Sequence, residues 1–340
     1  WLTGVLGMAT TYAECFLGVL YRRKTKDGSY LGGPMYTLEN GLHSKTLASV
    51  YCLLTLLASY GVGCSTQSNA ITETTTKLWG ISPYLVGFIA ALITGLVIVG
   101  GIQSIGKFCT RLVPAMGGFF IFACLILLIM NYRLLLPAIS LIFRSAFLPN
   151  AIAGGFIGST IKTAARYGIT RGLFTNEAGL GTAAIAAASA KTKNPEEQAL
   201  ISMTATFWDT VVMCAITGLV IITGILNNPD SITGLSPGDL TSAAFAQIPL
   251  FGSSMLGLSI IAFAMATLIG WSYFGEKAVD YLFGKEGIGI YRVCYIVMIF
   301  VGSTLTLEFV WELSDLINAF MILPNTLSLF FLYKKITYTE

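Results

Sequence analysis

Apolar runs alternate with short polar stretches along the whole chain. A helix that crosses a bilayer needs about 20 mostly apolar residues. The pattern predicts nine spans, at roughly 1–20, 46–75, 84–100, 108–130, 151–190, 198–226, 251–283, 287–306 and 314–333. Gly28, Gly32, Gly33 and Pro34 break regular structure after the first span, Ile81-Ser82-Pro83 turns the chain after the second, and Gly100-Gly101 ends the third. Residues 134–150 are too short to span and contain Pro137; bracketed by Arg133 and Arg144, they read as an amphipathic helix at the interface.

The run 151–190 is too long for one ordinary span, and it holds the least regular stretch of the chain. Residues 168–181 carry Arg171, Asn176 and Glu177 together with Gly168, Gly172, Gly179 and Gly181. Ionisable groups are expensive in a bilayer and usually functional there. Irregular backbone is tolerated at that depth only where protein buries it or where it lines a wet cavity. The pattern predicts a helix broken near 168–181 and facing a polar site, the arrangement by which many secondary transporters bind solute and ion.

Charge supports the parse. With the 22–45 loop in the cytoplasm and the nine spans alternating, one side collects Arg22, Arg23, Lys24, Lys26, Lys45, Lys107, Arg111, Lys191, Lys193, Lys277, Lys285, Arg292, Lys334 and Lys335. The other side holds Lys77, Arg133 and Arg144. That asymmetry follows the positive-inside rule and favours a single crossing for 151–190.

Composition agrees: 55% of residues are hydrophobic, 11% are charged, and the mean hydropathy is +0.75. Soluble domains carry about 25% charged residues, so most of this surface faces lipid. The net charge of +3 is scattered, with no basic run that suggests nucleic acid. The seven cysteines are isolated, without CxxC or a Cys/His cluster, which argues against a disulfide framework or a zinc site. The one histidine, His43, lies in a polar connection and reads as solvated. With no HExxH and no Ser/His pair near GxSxG, an intramembrane enzyme is disfavoured. The chain starts at Trp1 inside an apolar segment, from which upstream residues are expected to be missing.

Several residues are candidates for chemistry. At the predicted break, half-helix N-termini attract an anionic group, while free carbonyls attract a cation. Asn176 can donate and accept, Thr175 offers a hydroxyl, and Glu177 either binds an amine or cation or pairs with Arg171 or Arg166. Lys162 and Arg166 read as facing a vestibule or snorkelling. In the second span, Gly61-Val-Gly-Cys-Ser-Thr-Gln67-Ser-Asn69 either lines a pore or hydrogen-bonds between helices. In the seventh, Trp271 beside small residues is either a substrate wall or an interface anchor, and Thr267 is a hydroxyl ligand suited to a hard cation. Asp209 lacks an evident partner, and Glu14 reads as solvated near the cytoplasmic end of the first span.

The stretch Arg171-Gly-Leu-Phe-Thr-Asn-Glu-Ala-Gly-Leu-Gly181 resembles the hallmark of the alanine or glycine:cation symporters, the sodium/alanine symporter family. Further matches are Gly7-Met-Ala-Thr-Thr-Tyr-Ala-Glu14, Gly32-Gly-Pro-Met-Tyr36, Gly270-Trp-Ser-Tyr-Phe-Gly-Glu276, Tyr281-Leu-Phe-Gly284 and Pro324-Asn325, in family order. The family usually shows Ser where Thr175 and Thr182 stand, and Pro where Ala184 stands. The resemblance implies an all-α polytopic membrane protein with a leucine-transporter-like fold of two inverted five-helix repeats. On that mapping the spans are core helices two to ten, and the chain lacks the family's N-terminal helices, including core helix one. Residues 1–340 then form one transmembrane domain, with 1–133 the remainder of the first repeat, 134–150 the interfacial helix and 151–333 the second repeat.

The function implied is Na⁺-coupled symport of a small neutral amino acid, alanine, glycine or similar, across a prokaryotic cell (inner) membrane. Sodium is the coupling ion, without an organic cofactor; the partners are the amino acid, the ion and the lipid bilayer, and not nucleic acid. By family analogy the substrate positions are Gln67, Asn69, Phe174, Thr175, Asn176, Glu177, Gly179 and Trp271, and Thr267 is the sodium ligand. The rival readings are a proton-coupled carrier of the same fold, with Glu177 or Asp209 as the proton site, and a non-transporting fragment.

Overall fold

The structure is a computed structural model that describes residues 1–25, 28–147, 161–229, 239–305 and 307–336. Among these, besides a short helical segment over 34–41, twelve α-helices follow one another. They are α1 (Leu2–Leu20), α2 (Lys45–Trp79), α3 (Pro83–Val99), α4 (Gly101–Met130), α5 (Leu135–Phe147) and α6 (Ile161–Asn176). Then come α7 (Thr182–Ala188), α8 (Pro195–Asn227), α9 (Asp239–Phe245), α10 (Gly252–Phe283), α11 (Lys285–Gly302) and α12 (Leu307–Leu332). After α1, a small antiparallel hairpin pairs β1 (Arg23–Lys24) with β2 (Tyr30–Leu31).

The helix ends follow local chemistry. The Ser44 side chain caps α2 by accepting from the Leu47 amide at 3.4 Å. Gly80, at φ 65°, ends α2 in the left-handed region. Pro83 opens α3, where its missing N–H costs nothing. Two helices carry π-helical turns, Gly61–Ser65 in α2 and Phe207–Met213 in α8, and such turns often mark functional positions.

Six helical stretches among the described residues are long and apolar enough to cross a membrane, where the sequence pattern predicts nine. They are Leu2–Leu20, Lys45–Trp79, Gly101–Met130, Pro195–Asn227, Gly252–Phe283 and Leu313–Lys335. Of the other three predicted spans, α3 is apolar but only 17 residues long. The second, α11, is an 18-residue helix that carries Lys285, Glu286 and Arg292. The third is the broken 151–190 region, whose first ten residues lie outside the description. The helix predicted over 134–150 is present as α5 up to Phe147; residues 148–150, most of the acidic loop before α9, and the Lys162 and Arg166 side chains also lie outside the described residues.

The packing inverts that of a water-soluble protein. Leu96 is 72% exposed and Phe330 71%, whereas Thr55 and Ser59 are fully buried. Lipid imposes no cost on exposed Leu or Phe, so helix association relies on close packing and on polar side chains between helices. The buried tyrosines follow the same logic: Tyr295 donates its hydroxyl to the Leu268 carbonyl at 2.8 Å, with the Gly63 carbonyl at 3.1 Å.

The chain forms two compact units. One comprises Trp1–Gly7, Gly117–Asn176 and Ala205–Leu256. Inside it, Phe120 stacks on Phe245 with ring centroids 6.0 Å apart, and Asn131 donates to Gln247 Oε1 at 2.9 Å. The other comprises Met8–Met116, Glu177–Thr204 and Gly257–Glu340. Inside it, Tyr12, Phe16, Leu17, Val19, Ala187, Ala199 and Leu332 form one apolar cluster.

The predicted break is real but shorter than 168–181. Gly168 and Gly172 lie within α6, because an interior glycine costs a helix only about 1 kcal/mol; Gly172 instead admits the Thr3 side chain. The interruption occupies 177–181, where Glu177, Gly179 and Gly181 have φ of 52°, 97° and 80°. No α-helix continues through three left-handed residues. At Gly181 a Cβ would also run into Pro34, with the Tyr51 hydroxyl at 2.8 Å. Gly181→Ala therefore combines a left-handed alanine with overpacking. It is expected to lower stability by about 3 kcal/mol, read as a drop of several degrees in thermal unfolding in detergent; an unchanged midpoint would contradict this account.

Candidate functional site

The turn Glu177–Gly181 leaves backbone groups outside any helix; side chains from α2 and α12 bond them, and others hold the Glu177 carboxylate. Tyr51 on α2 donates its hydroxyl to the Leu180 carbonyl at 2.8 Å. Asn325 on α12 donates to the Gly179 carbonyl at 2.9 Å and to Glu14 Oε1, on α1, at 2.7 Å. Trp271 on α10 donates its indole N–H to Glu177 Oε1 at 3.1 Å, and Thr182 donates its hydroxyl to Glu177 Oε2 at 2.6 Å. Within the turn, Leu180 N–H bonds the Glu177 carbonyl at 3.0 Å, and Ile185 N–H bonds the Gly181 carbonyl at 3.2 Å. The sequence suggests free carbonyls here; in the structure those of Glu177, Gly179, Leu180 and Gly181 each accept a hydrogen bond.

Glu177 is half-buried, and both its carboxylate oxygens accept hydrogen bonds. Trp271 is only 2% exposed. Its bulk lies against Gly63 in the π-helical turn of α2, where a Cβ would collide with the indole. The glycines of α2 thus let the tryptophan reach the turn. One helical turn before Trp271, Thr267 donates its hydroxyl to the Phe263 carbonyl at 3.0 Å. That bond leaves the hydroxyl oxygen able to ligate. One turn beyond Gly63, Gln67 donates to the Val62 carbonyl at 3.2 Å.

The structure does not gather every predicted position. Asn69 points to the end of α11, donating to the Leu305 carbonyl at 2.5 Å and the Gly302 carbonyl at 3.4 Å. There it lines a polar cleft of about 450 Å³ with Thr72, Glu73, Thr76, Lys77 and Ser303, a lining that includes neither Glu177 nor Trp271. Phe174, Thr175 and Asn176 belong to the other unit. Phe174 is half-buried, Thr175 is exposed and bonds the Arg171 carbonyl at 2.9 Å, and Asn176 donates to the Thr3 carbonyl at 3.3 Å. Asp209 sits exposed in the π-helical turn of α8, accepting from the Thr210 hydroxyl at 3.4 Å.

Two functional side chains escape the sequence reading. Glu14 is 2% exposed rather than solvated, because it faces the turn and Asn325 instead of the helix end. Its only signals are an acidic residue in an apolar helix and its place in the Gly7–Glu14 motif. Arg22, read as one more cytoplasmic charge, caps the C-terminus of α7. Its guanidinium donates to the carbonyls of Ala188 at 3.1 Å, Ala190 at 2.6 Å and Thr192, and it lies 3.8 Å above the Tyr30 ring. Burial lowers its pKa from the ordinary value, against a smaller opposing effect from Tyr30. A cation at a helix C-terminus complements the helix dipole.

Known proteins match this sequence along nearly its whole length. The model of the sodium:alanine symporter family covers residues 1–339. The chain belongs to that family. Membership makes it an integral membrane transporter for amino-acid:cation symport, and not an enzyme. Among similar proteins, the sodium/alanine symporter AgcS of Methanococcus maripaludis is 42% identical over 336 residues, 98% of this chain and 73% of that protein. The probable sodium/glutamine symporter GlnT of Bacillus subtilis is 30% identical over 99% of this chain and 69% of its own length. The putative sodium/proton-dependent alanine carrier protein YrbD of Bacillus subtilis is 31% identical over 98% and 71%. The family match begins at residue 1, so the expectation of absent N-terminal helices is not borne out by it.

In this symporter, Glu177→Gln keeps the side-chain shape but replaces one acceptor oxygen with a donor. The amide oxygen then has to face the Trp271 N–H and the Thr182 hydroxyl has to turn from donor to acceptor, so both bonds lose their charge-assisted strength. Hydrogen bonds to charged groups contribute about 1.5–3 kcal/mol, so thermal unfolding in detergent is expected to fall by several degrees. An unchanged unfolding curve would mean that the two bonds do not hold the turn.

Proposed function

We propose that this symporter carries a small neutral amino acid, alanine, glycine or similar, together with Na⁺. Transport proceeds by alternating access in a leucine-transporter-like fold of two inverted repeats, in a prokaryotic cell (inner) membrane. The observation that carries the reading is the interrupted helix: its turn at Glu177–Gly181 is glycine-rich, buried from Ala178 onward, and held by side chains from α2, α10 and α12. Such a turn offers N–H groups to a carboxylate and carbonyl lone pairs to an ammonium or Na⁺. The printed names of the relatives support the cargo class, since one is a sodium/alanine symporter and another a probable sodium/glutamine symporter.

Within this reading, Glu177, Gly179 and Trp271 form the centre of the solute site, with Gln67 as a further substrate position; Phe174, Thr175 and Asn176 are assigned to substrate by the family motif alone. Thr267 supplies a hydroxyl to Na⁺. Asn69 serves the cleft at the end of α11. The fully buried indole of Trp271 limits the size of the solute side chain, and α5 lies at the membrane interface between the two repeats.

Proton coupling is the second reading. Two carboxylates, Glu14 and Glu177, flank the turn, and one relative is named a putative sodium/proton-dependent carrier. Labelled alanine uptake into proteoliposomes separates the two. Replacing external sodium with choline is expected to abolish uptake; uptake that persists on an inward proton gradient would overturn sodium coupling. In the same assay, Trp271→Ala is expected to admit bulkier amino acids such as glutamine. An unchanged substrate range would remove Trp271 from the solute wall.

A further inference from the structure

Glu14 and Asn325 belong to two motifs that the solute site leaves unused, Gly7–Glu14 and Pro324-Asn325. Each is 2% exposed. An amide NH₂ carries two hydrogens, and Asn325 uses both, on Glu14 Oε1 at 2.7 Å and on the Gly179 carbonyl at 2.9 Å. The same amide lies against the turn, since a Cβ on Gly181 would stand 3.2 Å from Asn325 Cγ. The second oxygen, Glu14 Oε2, is buried without a hydrogen-bond partner among the described residues, and the backbone of Gly179 and Gly181 runs beside the carboxylate. Native structures seldom keep a buried polar atom unpaired without a reason. Here the reason is at hand: that oxygen lies beside the backbone N–H groups of Gly179 and Gly181 in the turn.

We propose that Glu14 and Asn325 are a positioning pair: they set the peptide planes at Gly179 and Gly181, and so set solute affinity, without touching the solute. The proposal rests on the reading of Glu177–Gly181 as solute-binding. The pair bridges α1, the turn and α12, so movement of either helix changes the orientation of the backbone groups offered to the cargo. Precise orientation matters, because small misplacements of binding groups have large effects on function.

The test compares Asn325→Asp, Glu14→Gln and the swap Glu14→Gln/Asn325→Asp in sodium-driven uptake of labelled alanine and in hydrogen–deuterium exchange. Asn325→Asp keeps the shape but removes both N–H donors, leaving at most one proton shared between two facing carboxyl groups. It is expected to raise KM about tenfold while Vmax stays within about twofold, and to speed exchange in the peptide 177–182 but not in α3. Glu14→Gln retains an acceptor for Asn325 but turns a donor toward the backbone N–H groups of Gly179 and Gly181, so it is expected to raise KM and speed exchange at 177–182 by less than Asn325→Asp does. The swap restores a bond between α1 and α12, with the donor reversed, but leaves the Gly179 carbonyl without its donor. KM and exchange at the turn therefore stay altered, whereas a purely stabilising bond would be rescued. Should Asn325→Asp not fold, Asn325→Ser is read in the same way. Wild-type KM with unchanged exchange at 177–182 would overturn the proposal. Absence of sodium-dependent alanine uptake by the wild-type protein would instead overturn the functional reading, with the exchange measurement still deciding the pair.

Discussion

In a bilayer, a peptide group released from a helix has no water to bond, and leaving it unpaired costs several kcal/mol. The interruption at Glu177–Gly181 is accordingly supplied with donors by other parts of the chain. Tyr51 and Asn325 donate to its carbonyls at 2.8 and 2.9 Å, and Thr182 and Trp271 hold the Glu177 carboxylate at 2.6 and 3.1 Å. The glycines at 179 and 181 adopt the left-handed geometry at little cost, and Glu177 adopts it under the hold of its two donors.

That requirement shapes the surrounding packing. A turn whose backbone groups are bonded by other segments must be approached closely, and small residues permit it: Gly63 makes room for Trp271, and Gly181 for Pro34, Tyr51 and Asn325. The segment that follows the β-hairpin contributes Pro34 to this closure, and Arg22 pins the far end of α7. A loop that reads as cytoplasmic and basic thus has its last part, Pro34–Leu38, buried. Polar side chains sit between helices while leucines and phenylalanines cover the outside, an inversion suited to lipid.

The family assignment and the geometry bear on one another. The motif shared with the alanine or glycine:cation symporters ends at Gly181, the residue where the interruption closes and α7 begins. Its charged member, Glu177, is tied to the tryptophan of a second motif, Gly270–Glu276, and its glycines to the asparagine of a third, Pro324-Asn325. Segments dispersed along the sequence therefore meet at one short turn, which gives a physical reason for them to occur together.

The sequence by itself determined the class of protein: hydropathy, scarce charge and basic asymmetry require a polytopic helical membrane protein, because each follows from the cost of placing a residue in lipid. It also located the broken helix, since glycine and ionisable residues are rarely tolerated together there. It did not give the limits of the break, because Gly168 and Gly172 are chemically indistinguishable in sequence from Gly179 and Gly181; only the backbone angles separate them. Nor did it reveal that Glu14 is buried, that Arg22 caps α7, or that Asn69 faces the end of α11. Those outcomes depend on which side of a helix meets which neighbour. Partners such as Glu14 and Asn325 are 311 positions apart, and local composition carries no record of a contact that only the folded chain creates.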